Sequence, residues 1–432
     1  MIDLIKGAFK EKDVRSRILF TLGLLVVFRL GTHITVPGVN AGALSQLSET
    51  GLFNLLDTFG GGALSSYSIF ALGVSPYITS SIVIQLLQMD VIPKFKEWSE
   101  QGEVGRKKLN QATRYLTIVL AFFQAIGISY GFNALTGLGL VVNPGPATYI
   151  TIAIILTAGT MLVMWLGEMI TVNGFGNGTS FIIFSGIISR VPQDVQTFYN
   201  TQIRNAGDEI VSAWVLTIAI IIGFVLLIIL VTYMENAKRN IPIRYSKRAS
   251  TSKDSAVLPL KVNSAGVIPV IFASSFLMTP QIILGYFAQG NQDAGWYQVL
   301  TSIFNLQEPI GAVLYTVLIV LFTFFYAFIQ VNPEKAAENL QKQGGYIPSV
   351  RPGRATEEYI GYMLIRLSTV GAIYLGLISL LPIVASALFN LPSSLALGGT
   401  SLLIVVGVAL DSMRQLEGLL SKKSYQGFIQ RS

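Results

Sequence analysis

Residues 51–89 read GLFNLLDTFGGGALSSYSIFALGVSPYITSSIVIQLLQM, and their only charged residue is Asp57. The stretch is too long for one membrane span, which needs about 20 apolar residues, and too apolar to hold an ordinary polar turn. Glycines at 60–62 and 73, followed by Pro76, interrupt it, because glycine weakens a helix and proline removes a backbone donor. Irregular backbone at membrane depth is tolerated only where protein buries it or where it lines a cavity. The stretch therefore predicts broken helical pieces beside a pathway through the membrane.

The composition is that of an integral membrane protein. The chain has 432 residues, of which 52% are hydrophobic and only 12% are charged, whereas soluble domains carry about 25% charged residues. It has no Cys and a single His, His33, which excludes thiol catalysis and argues against zinc sites and His-based triads. Neither a cofactor nor an enzymatic activity is predicted, and the charged segment 1–17 indicates no removable signal peptide.

Apolar windows predict ten helical spans, and the basic residues orient them. The spans lie near residues 18–37, 74–89, 115–135, 149–169, 181–198, 211–233, 266–288, 309–331, 367–388 and 395–412. Cytoplasmic segments of membrane proteins carry an excess of Lys and Arg. Here 27 of the 30 such residues fall in segments 1–17, 90–114, 233–265, 332–366 and 411–432. Both termini and the two long loops are therefore predicted to be cytoplasmic.

The loop at 233–265 is strongly basic, with seven cations against Glu235 and Asp254. One interpretation is a solvated face attracted to anionic lipid. The other is docking of a large cytoplasmic partner, acidic or RNA-containing, for which basic charge would speed encounter. The sequence leaves both open.

Ten spans divide into two sets of five, and an odd number per half makes the halves inverted relative to each other. Inverted repeats place functional sites at their interface. A secondary transporter for a small solute also fits this architecture, but the spans hold no cluster of ionisable residues. Arg29 and Glu168 are isolated and are expected to snorkel to an interface. Val74 and Ile78 share one helical face, and composition alone does not separate a packing face from an apolar constriction.

The segment NGFGNGTS at 173–180 links spans four and five. Its alternating glycines suggest a phosphate cradle, but no strand precedes it and no Lys-Ser/Thr pair follows. A tight turn before the fifth span, capped by Thr179 or Ser180, is the better interpretation.

Taken in order, the motifs of this chain resemble those of the SecY family, the central subunits of bacterial protein-conducting channels. The resemblance covers essentially the whole chain, and so many segments in order exclude chance. The matching segments are VPGV (36–39), FGGGAL (59–64), SIFALG (68–73), PYI (76–78), QLL (85–87), GEVGR (102–106), MWLGE (164–168), LPLKVN (258–263), GVIP (266–269), NPE (332–334), GGYIP (344–348), RPG (351–353) and GGTS (398–401).

The resemblance implies an all-α integral membrane fold of ten transmembrane helices, arranged as two inverted five-helix halves around an hourglass pore. The N-terminal half would be residues 1–206, with spans one to five and a plug at about 53–66. The C-terminal half would be residues 207–432, with cytoplasmic loops at 233–265 and 332–364. By motif position, a hydrophobic ring at the waist would comprise Val74, Ile78, Ile183, Ile271 and Ile404. The family more often has Ile where Val74 stands, which implies a slightly looser ring.

The resemblance also assigns the moving parts. The plug residues would be Phe53, Leu55, Leu56, Asp57, Phe59, Gly60, Gly61 and Gly62. A lateral gate would form between spans two and three and spans seven and eight, with polar roles for Thr79, Gln85 and Asn263. A polar contact there could hold the gate shut, worth about 1 kcal/mol.

The implied partners follow from the same family. They are SecE and SecG in a heterotrimer, the motor ATPase SecA, the ribosome, signal peptides and preproteins, membrane lipids, and a membrane insertase or other accessory Sec proteins. Contacts with SecA or the ribosome would fall on Arg244, Lys247, Arg248, Arg351, Pro352, Gly353 and Arg354. The implied function is passage of unfolded secretory polypeptides across the plasma membrane of a bacterium, with sideways release of transmembrane segments, driven by a partner.

Overall fold

The computed structural model describes residues 7, 9–40, 42, 44, 53, 57, 60–89, 92–136, 139–204, 210–245, 256–287, 294–389 and 398–429. Within these ranges the chain forms helices α1 Lys12–Gly31, α2 Ser75–Leu87, α3 Pro93–Glu100, α4 Glu103–Thr136, α5 Pro146–Asn173, α6 Gly178–Phe198, α7 Ile210–Asn236, α8 Ile268–Phe287, α9 Gly295–Phe304, α10 Pro309–Gln330, α11 Pro333–Lys342, α12 Arg354–Phe389 and α13 Gly398–Ile429. A π-helical turn, Tyr199–Arg204, extends α6. Three strands complete the fold: β1 Lys238–Tyr245, β2 Ala256–Lys261 and β3 Gly345–Tyr346.

The ten predicted spans correspond to α1, α2, α4 to α8, α10, α12 and α13, which confirms the predicted fold class. Among the described residues, five helical stretches are individually long and apolar enough to cross a membrane: Glu103–Asn133, Pro146–Asn173, Ala213–Asn236, Pro309–Lys342 and Arg354–Ala385. The apolar helices Ser75–Leu87 and Ile268–Leu284 are shorter. The short helices α3, α9 and α11 were not predicted.

Several helices begin where the sequence makes a helix start easy. Proline lies in the first turn of α2, α3, α5, α10 and α11, where its missing N–H costs no hydrogen bond. The predicted turn before α6 is present, but its cap is Asn177 rather than Thr179 or Ser180. The Asn177 side chain accepts hydrogen bonds from the backbone N–H groups of both residues, at 3.1 and 3.4 Å.

The helices form an N-terminal set, α1 to α6, and a C-terminal set, α7 to α13. The two sets pack against each other around one apolar core. In the N-terminal set, α4 packs on α5 and α2, and α5 packs on α6; in the C-terminal set, α10 packs on α8 and α12. Between the sets, α8 contacts α2 and α4, while α13 contacts α1 and α6. The predicted boundary at 206/207 lies outside the described residues.

The two long basic loops do not stay separate, because their strands join in one sheet with the order β2-β1-β3. Strand β1 pairs antiparallel with β2 from Lys238 opposite Lys261 onward, and with β3 at Arg244 opposite Tyr346. A small separate core lies beneath the sheet, formed by Ile241, Ile243, Leu260, Leu340, Ile347 and Ile360. We call this unit, made of β1 to β3, α11 and the start of α12, the sheet lobe.

Candidate functional site

The five predicted ring residues all lie in the large core, contributed by four helices of both sets. Val74 is the residue before α2 and Ile78 lies in its first turn, while Ile183, Ile271 and Ile404 come from α6, α8 and α13. Each is at most 6% exposed, and all five belong to one connected apolar cluster. We call these five residues the ring. Side chains of this kind exclude water and offer no hydrogen bonds, so their chemistry is compatible with the predicted constriction.

A cleft of about 420 Å³ reaches three of the ring residues. Ile78, Ile183 and Ile271 lie at its apolar part, and its other walls carry polar side chains of α2, α4, α5 and α6. Glu168 lines this cleft and pairs with Arg114 at 2.5 Å. The sequence interpretation of Glu168 as an isolated snorkelling residue missed this partner on α4.

Two of the ring residues occupy equivalent places in a repeated local pattern. Residues 73–78 read GVSPYI and residues 266–271 read GVIPVI, so Gly, Val, Pro and Ile recur at the same offsets. Gly73 and Gly266 adopt positive φ angles of 54° and 63°, a conformation that glycine tolerates best, and a helix begins shortly after each. Ile78 and Ile271 are the sixth residues of the two hexads. These two hexads are a signal of internal repetition that is present in the sequence itself.

The predicted plug, residues 53–66, is called the plug segment; Leu55, Leu56 and Phe59 lie outside the described residues. Phe53, Asp57 and Gly60 have helical backbone and are buried. The carboxylate of Asp57 accepts hydrogen bonds from the N–H groups of Leu64 at 3.0 Å and Ser65 at 2.9 Å. The backbone carbonyl oxygen of Asp57 accepts a hydrogen bond from the N–H of Gly62 at 2.8 Å. Asp57 therefore organises the turn that holds the glycine triplet.

Two arginines attach the plug segment to neighbouring helices. Arg190 of α6 lies 3.1 Å from Asp57 Oδ2, and the two side chains are only 13% and 4% exposed. Arg29 of α1 donates a hydrogen bond to the carbonyl of Gly61 at 2.6 Å. We call these two contacts the latch. The snorkelling interpretation is therefore wrong for Arg29, whose guanidinium faces protein.

The carboxylate of Asp57 is almost fully buried. Arg190 and the N–H groups of Ser65 and Leu64 lie within 3.1 Å of this carboxylate and offset its negative charge. A buried carboxylate without such partners would be costly, so the ion pair and the segment's docked position depend on each other. The sequence held a signal for this pair: Asp57 is the only charge in 51–89, and Arg190 is one of three cations outside the basic segments.

Thr79 and Gln85 lie on α2, whereas Asn263 lies in the loop before α8, and none of their described hydrogen bonds joins α2 to α8. Thr79 donates to the carbonyl of Ser75 within α2 at 3.1 Å, and Gln85 donates to Ser81 at 3.1 Å. Asn263, which is buried, donates to Glu235 at 2.6 Å. Between α2 and α8, Ser75 Oγ instead contacts Met278 Sδ at 4.0 Å.

The predicted partner-contact residues that are described lie on the sheet lobe. Arg244 is the second-last residue of β1, while Arg351, Pro352 and Arg354 are exposed at the start of α12. Gly353 has a φ of 96°, and the Arg351 carbonyl accepts a hydrogen bond from Thr356 Oγ1 at 2.9 Å. These features fix the turn. Lys247 and Arg248 lie outside the described residues.

Comparisons with known proteins show which family and which fold this chain resembles. The family model described as SecY matches residues 68–413. The protein translocase subunit SecY 1 of Lactobacillus kefiranofaciens subsp. kefiranofaciens is 57% identical over 430 residues, which is 99% of this chain and 100% of the relative. A solved SecY structure, whose plug domain is described as stabilising the closed state of its translocation channel, aligns with a TM-score of 0.65 at 18% identity, covering 93% of this chain and 91% of the other. Sec61 from the canine ribosome-channel complex aligns with a TM-score of 0.61 at 18% identity, with the same coverage.

Proposed function

The chain belongs to the SecY family, and from this premise we propose how its described parts serve a protein-conducting channel. The protein is the pore-forming subunit of a protein translocase, a channel subunit rather than an enzyme. Its passengers are unfolded secretory polypeptides, and apolar segments leave sideways into lipid. The observation that supports this function is that five buried apolar side chains, contributed by both sets of helices, belong to one core, and three of them line a polar cleft.

The chemistry of the ring suits a passage for many sequences. Branched apolar side chains form a constriction that water and ions enter reluctantly. Because these side chains make no directional bonds, they part around a polypeptide without requiring a particular residue in it. The plug segment would close the passage beyond the ring, and its latch would be released when the channel opens.

The seam between α2 and α4 on one side and α8 and α10 on the other would be the lateral gate. The hydrogen bond described across this seam, from Ser75 Oγ to Met278 Sδ, is long at 4.0 Å and therefore weak. An apolar signal sequence would therefore compete with side-chain packing at this seam more than with hydrogen bonds. Thr79, Gln85 and Asn263 would act by shaping the helices beside it. Opening would be a population shift produced by the signal sequence and a partner.

The surroundings of the channel are proposed from the family. The two inverted halves would be residues 1–206 and 207–432, in the plasma membrane of a bacterium with both termini cytoplasmic. SecE and SecG would complete a heterotrimer, and SecA or the ribosome would dock on the sheet lobe. The exposed cations on this lobe support such docking, because basic charge speeds encounter with large acidic partners.

Reconstitution tests the function directly. The chain, purified with SecE and SecG, is placed in vesicles and supplied with SecA, ATP and a precursor protein that carries a signal sequence. We expect the precursor to become protected from external protease, and a precursor with a disrupted signal sequence to stay accessible. Absence of protection together with uptake of small solutes would favour the transporter alternative instead.

A charge reversal on the sheet lobe tests the docking surface. We expect Arg351→Glu to lower SecA-dependent translocation about tenfold, equivalent to about 1.4 kcal/mol. The reason is that the introduced carboxylate would repel an acidic surface of the motor and weaken its binding. Lys342→Glu is the matched control: Lys342 is exposed on α11 of the same lobe, where it pairs with Glu338. Equal translocation by both variants and the unaltered chain would remove Arg351 from the contact.

A further inference from the structure

We infer that the latch fastens the plug segment to the N-terminal half alone, so that release of the plug is a step separate from parting of the lateral gate. The inference rests on the proposed function and deepens it. It assigns positioning roles to Asp57, Arg190 and Arg29, which hold the plug without lining the polypeptide's path through the ring.

The ion pair of the latch is largely shielded from water. Asp57 presents two faces: Oδ1 accepts the N–H groups of Leu64 and Ser65, and Oδ2 lies 3.1 Å from Arg190 Nη1. The same carboxylate therefore both shapes the plug's own turn and ties that turn to α6. An ion pair shielded in this way is screened by solvent much less than a surface pair.

The backbone at Gly61 also contacts the helices α1 and α6. Its carbonyl accepts a hydrogen bond from Arg29 of α1 at 2.6 Å and one from Ser189 of α6 at 3.5 Å. A Cβ at Gly61 would lie only 2.7 Å from the Cα of Gly186 on α6. Two glycines thus bring the plug backbone against the helix, and one carbonyl is held from two directions.

The neighbouring residues follow the same pattern. Ser66 donates to the carbonyl of Thr32, just after α1, at 2.8 Å. Tyr67, which follows the plug segment, hydrogen-bonds through its hydroxyl group to Ser129 of α4 at 2.6 Å. Among the described residues, the polar contacts that the structure defines from this region to the helices therefore go to α1, α4 and α6.

The ring and the gate are distributed differently. The ring joins α2 and α6 to α8 and α13, and the gate separates α2 and α4 from α8 and α10. Moving the C-terminal helices away opens both of these without stretching any latch contact, because α1 and α6 stay with the plug. The plug then needs its own trigger, which must break the pair between Asp57 and Arg190.

The test measures ion conductance and gate closure in the same reconstituted complex. Asp57→Asn keeps an oxygen that can accept from the Leu64 and Ser65 N–H groups but removes the charge, and Arg190→Gln removes the opposite charge. We expect each to raise resting conductance at least about tenfold, and the double variant to add little to the larger single effect, because both remove one interaction. Asp194→Asn is the matched control: Asp194 lies 3.9 Å from Arg190 on the same helix, and we expect little change.

Gate closure is read with an engineered thiol pair, Ser75→Cys with Met278→Cys, joined by a short bifunctional thiol reagent. The native chain has no Cys, so the pair is its only reactive site within this subunit. We expect the cross-linking yield without substrate to be the same in latch variants and the unaltered latch. A parallel fall in yield would overturn the inference, since the ion pair would then also hold the gate, and unchanged conductance in Asp57→Asn and Arg190→Gln would overturn it as well.

Arg190→Lys distinguishes loss of the ion pair from a defect in folding, because it keeps the positive charge. We expect its resting conductance to be lower than that of Arg190→Gln. Equal conductance in the two variants would count against the ion pair. Failure of the proposed function has a different signature. In that case the complex with an unaltered latch would not protect a signal-bearing precursor from protease, whatever its resting conductance.

Discussion

The ring is closed by side chains that make no directional bonds, whereas the plug segment is held by an ion pair and by hydrogen bonds to backbone carbonyls. Ring residues such as Ile78 and Ile183 pack in a core shared by both sets of helices. The plug's carboxylate, Asp57, has defined partners at 3.1 Å or less. The two proposed closures of the passage therefore use opposite chemistry.

This difference has a physical consequence. Apolar packing weakens gradually as side chains separate, so the proposed ring would be able to close around polypeptides of different shapes. A buried ion pair is either made or broken, and losing one partner of such a pair costs about 3–5 kcal/mol. The ring is suited to grip a variable object, and the latch is suited to hold one closed state.

The sharpest test of the comparison combines one substitution in each closure. If the ring and the latch open independently, their free energies add, and the effects on conductance multiply. We expect Ile183→Asn and Asp57→Asn each to raise resting conductance about tenfold, and the combined variant about a hundredfold. Single-channel recording in planar bilayers measures this.

Ile183 and Arg190 lie about two turns apart on α6, so the two substitutions do not share a contact through neighbouring residues of that helix. A combined conductance no larger than that of the stronger single variant would show that the ring and the plug open as one unit. The distinction between the two closures would then fail.

A second test asks whether position in the ring, rather than burial, decides the effect. Ile182 and Ile183 are adjacent on α6 and are both buried, but Ile182 faces Gly167 of α5. We expect Ile183→Asn to raise conductance about tenfold. Ile182→Asn should instead lower the melting temperature of the complex, because it buries an unsatisfied amide in a helix contact. Similar conductance from both variants would remove Ile183 from the constriction.

The smallest expected effect distinguishes two glycines of the plug turn. Gly61 and Gly62 both have positive φ angles, 70° and 81°, so alanine strains either by about 1–2 kcal/mol. A Cβ at Gly62 has room, with its nearest atoms 3.9 Å away, whereas one at Gly61 meets Gly186 at 2.7 Å. We expect the resting conductance of Gly61→Ala to exceed that of Gly62→Ala by about fivefold, or about 1 kcal/mol. Equal values would mean that the plug is not seated on α6.

The sequence predicted the spans well because long apolar runs leave few alternatives to a membrane helix. The five ring residues could be named only through their motifs, since Val74 and Ile271 look like ordinary packing residues in isolation. Their burial agrees with the assignment, and their role stays a prediction. The hexads at 73–78 and 266–271 show that part of the internal symmetry was readable without any relative.

The sheet lobe was not predicted because its best strand carries a contrary signal. Strand β1 contains Pro242, and proline is rarely found inside a sheet because it lacks a donor. It is tolerated here since β3 pairs only with Arg244 and Tyr245, which leaves Pro242 beside no strand on that side. Long-range partners were missed for a related reason: nothing local to Arg29 indicates that its guanidinium meets a carbonyl 32 residues away.

The sheet lobe also has a mechanical consequence. Its three strands clamp the loop after α7 to the loop before α12, so neither loop can be pushed without carrying the other. Helix α12 begins at this clamp and runs for 36 residues, about 54 Å at 1.5 Å per residue. A load applied at the basic surface by one of the proposed partners would be passed along α12, which Pro382 interrupts near its end. The sheet lobe would in this way transmit movement of a bound partner to the helices around the proposed pore.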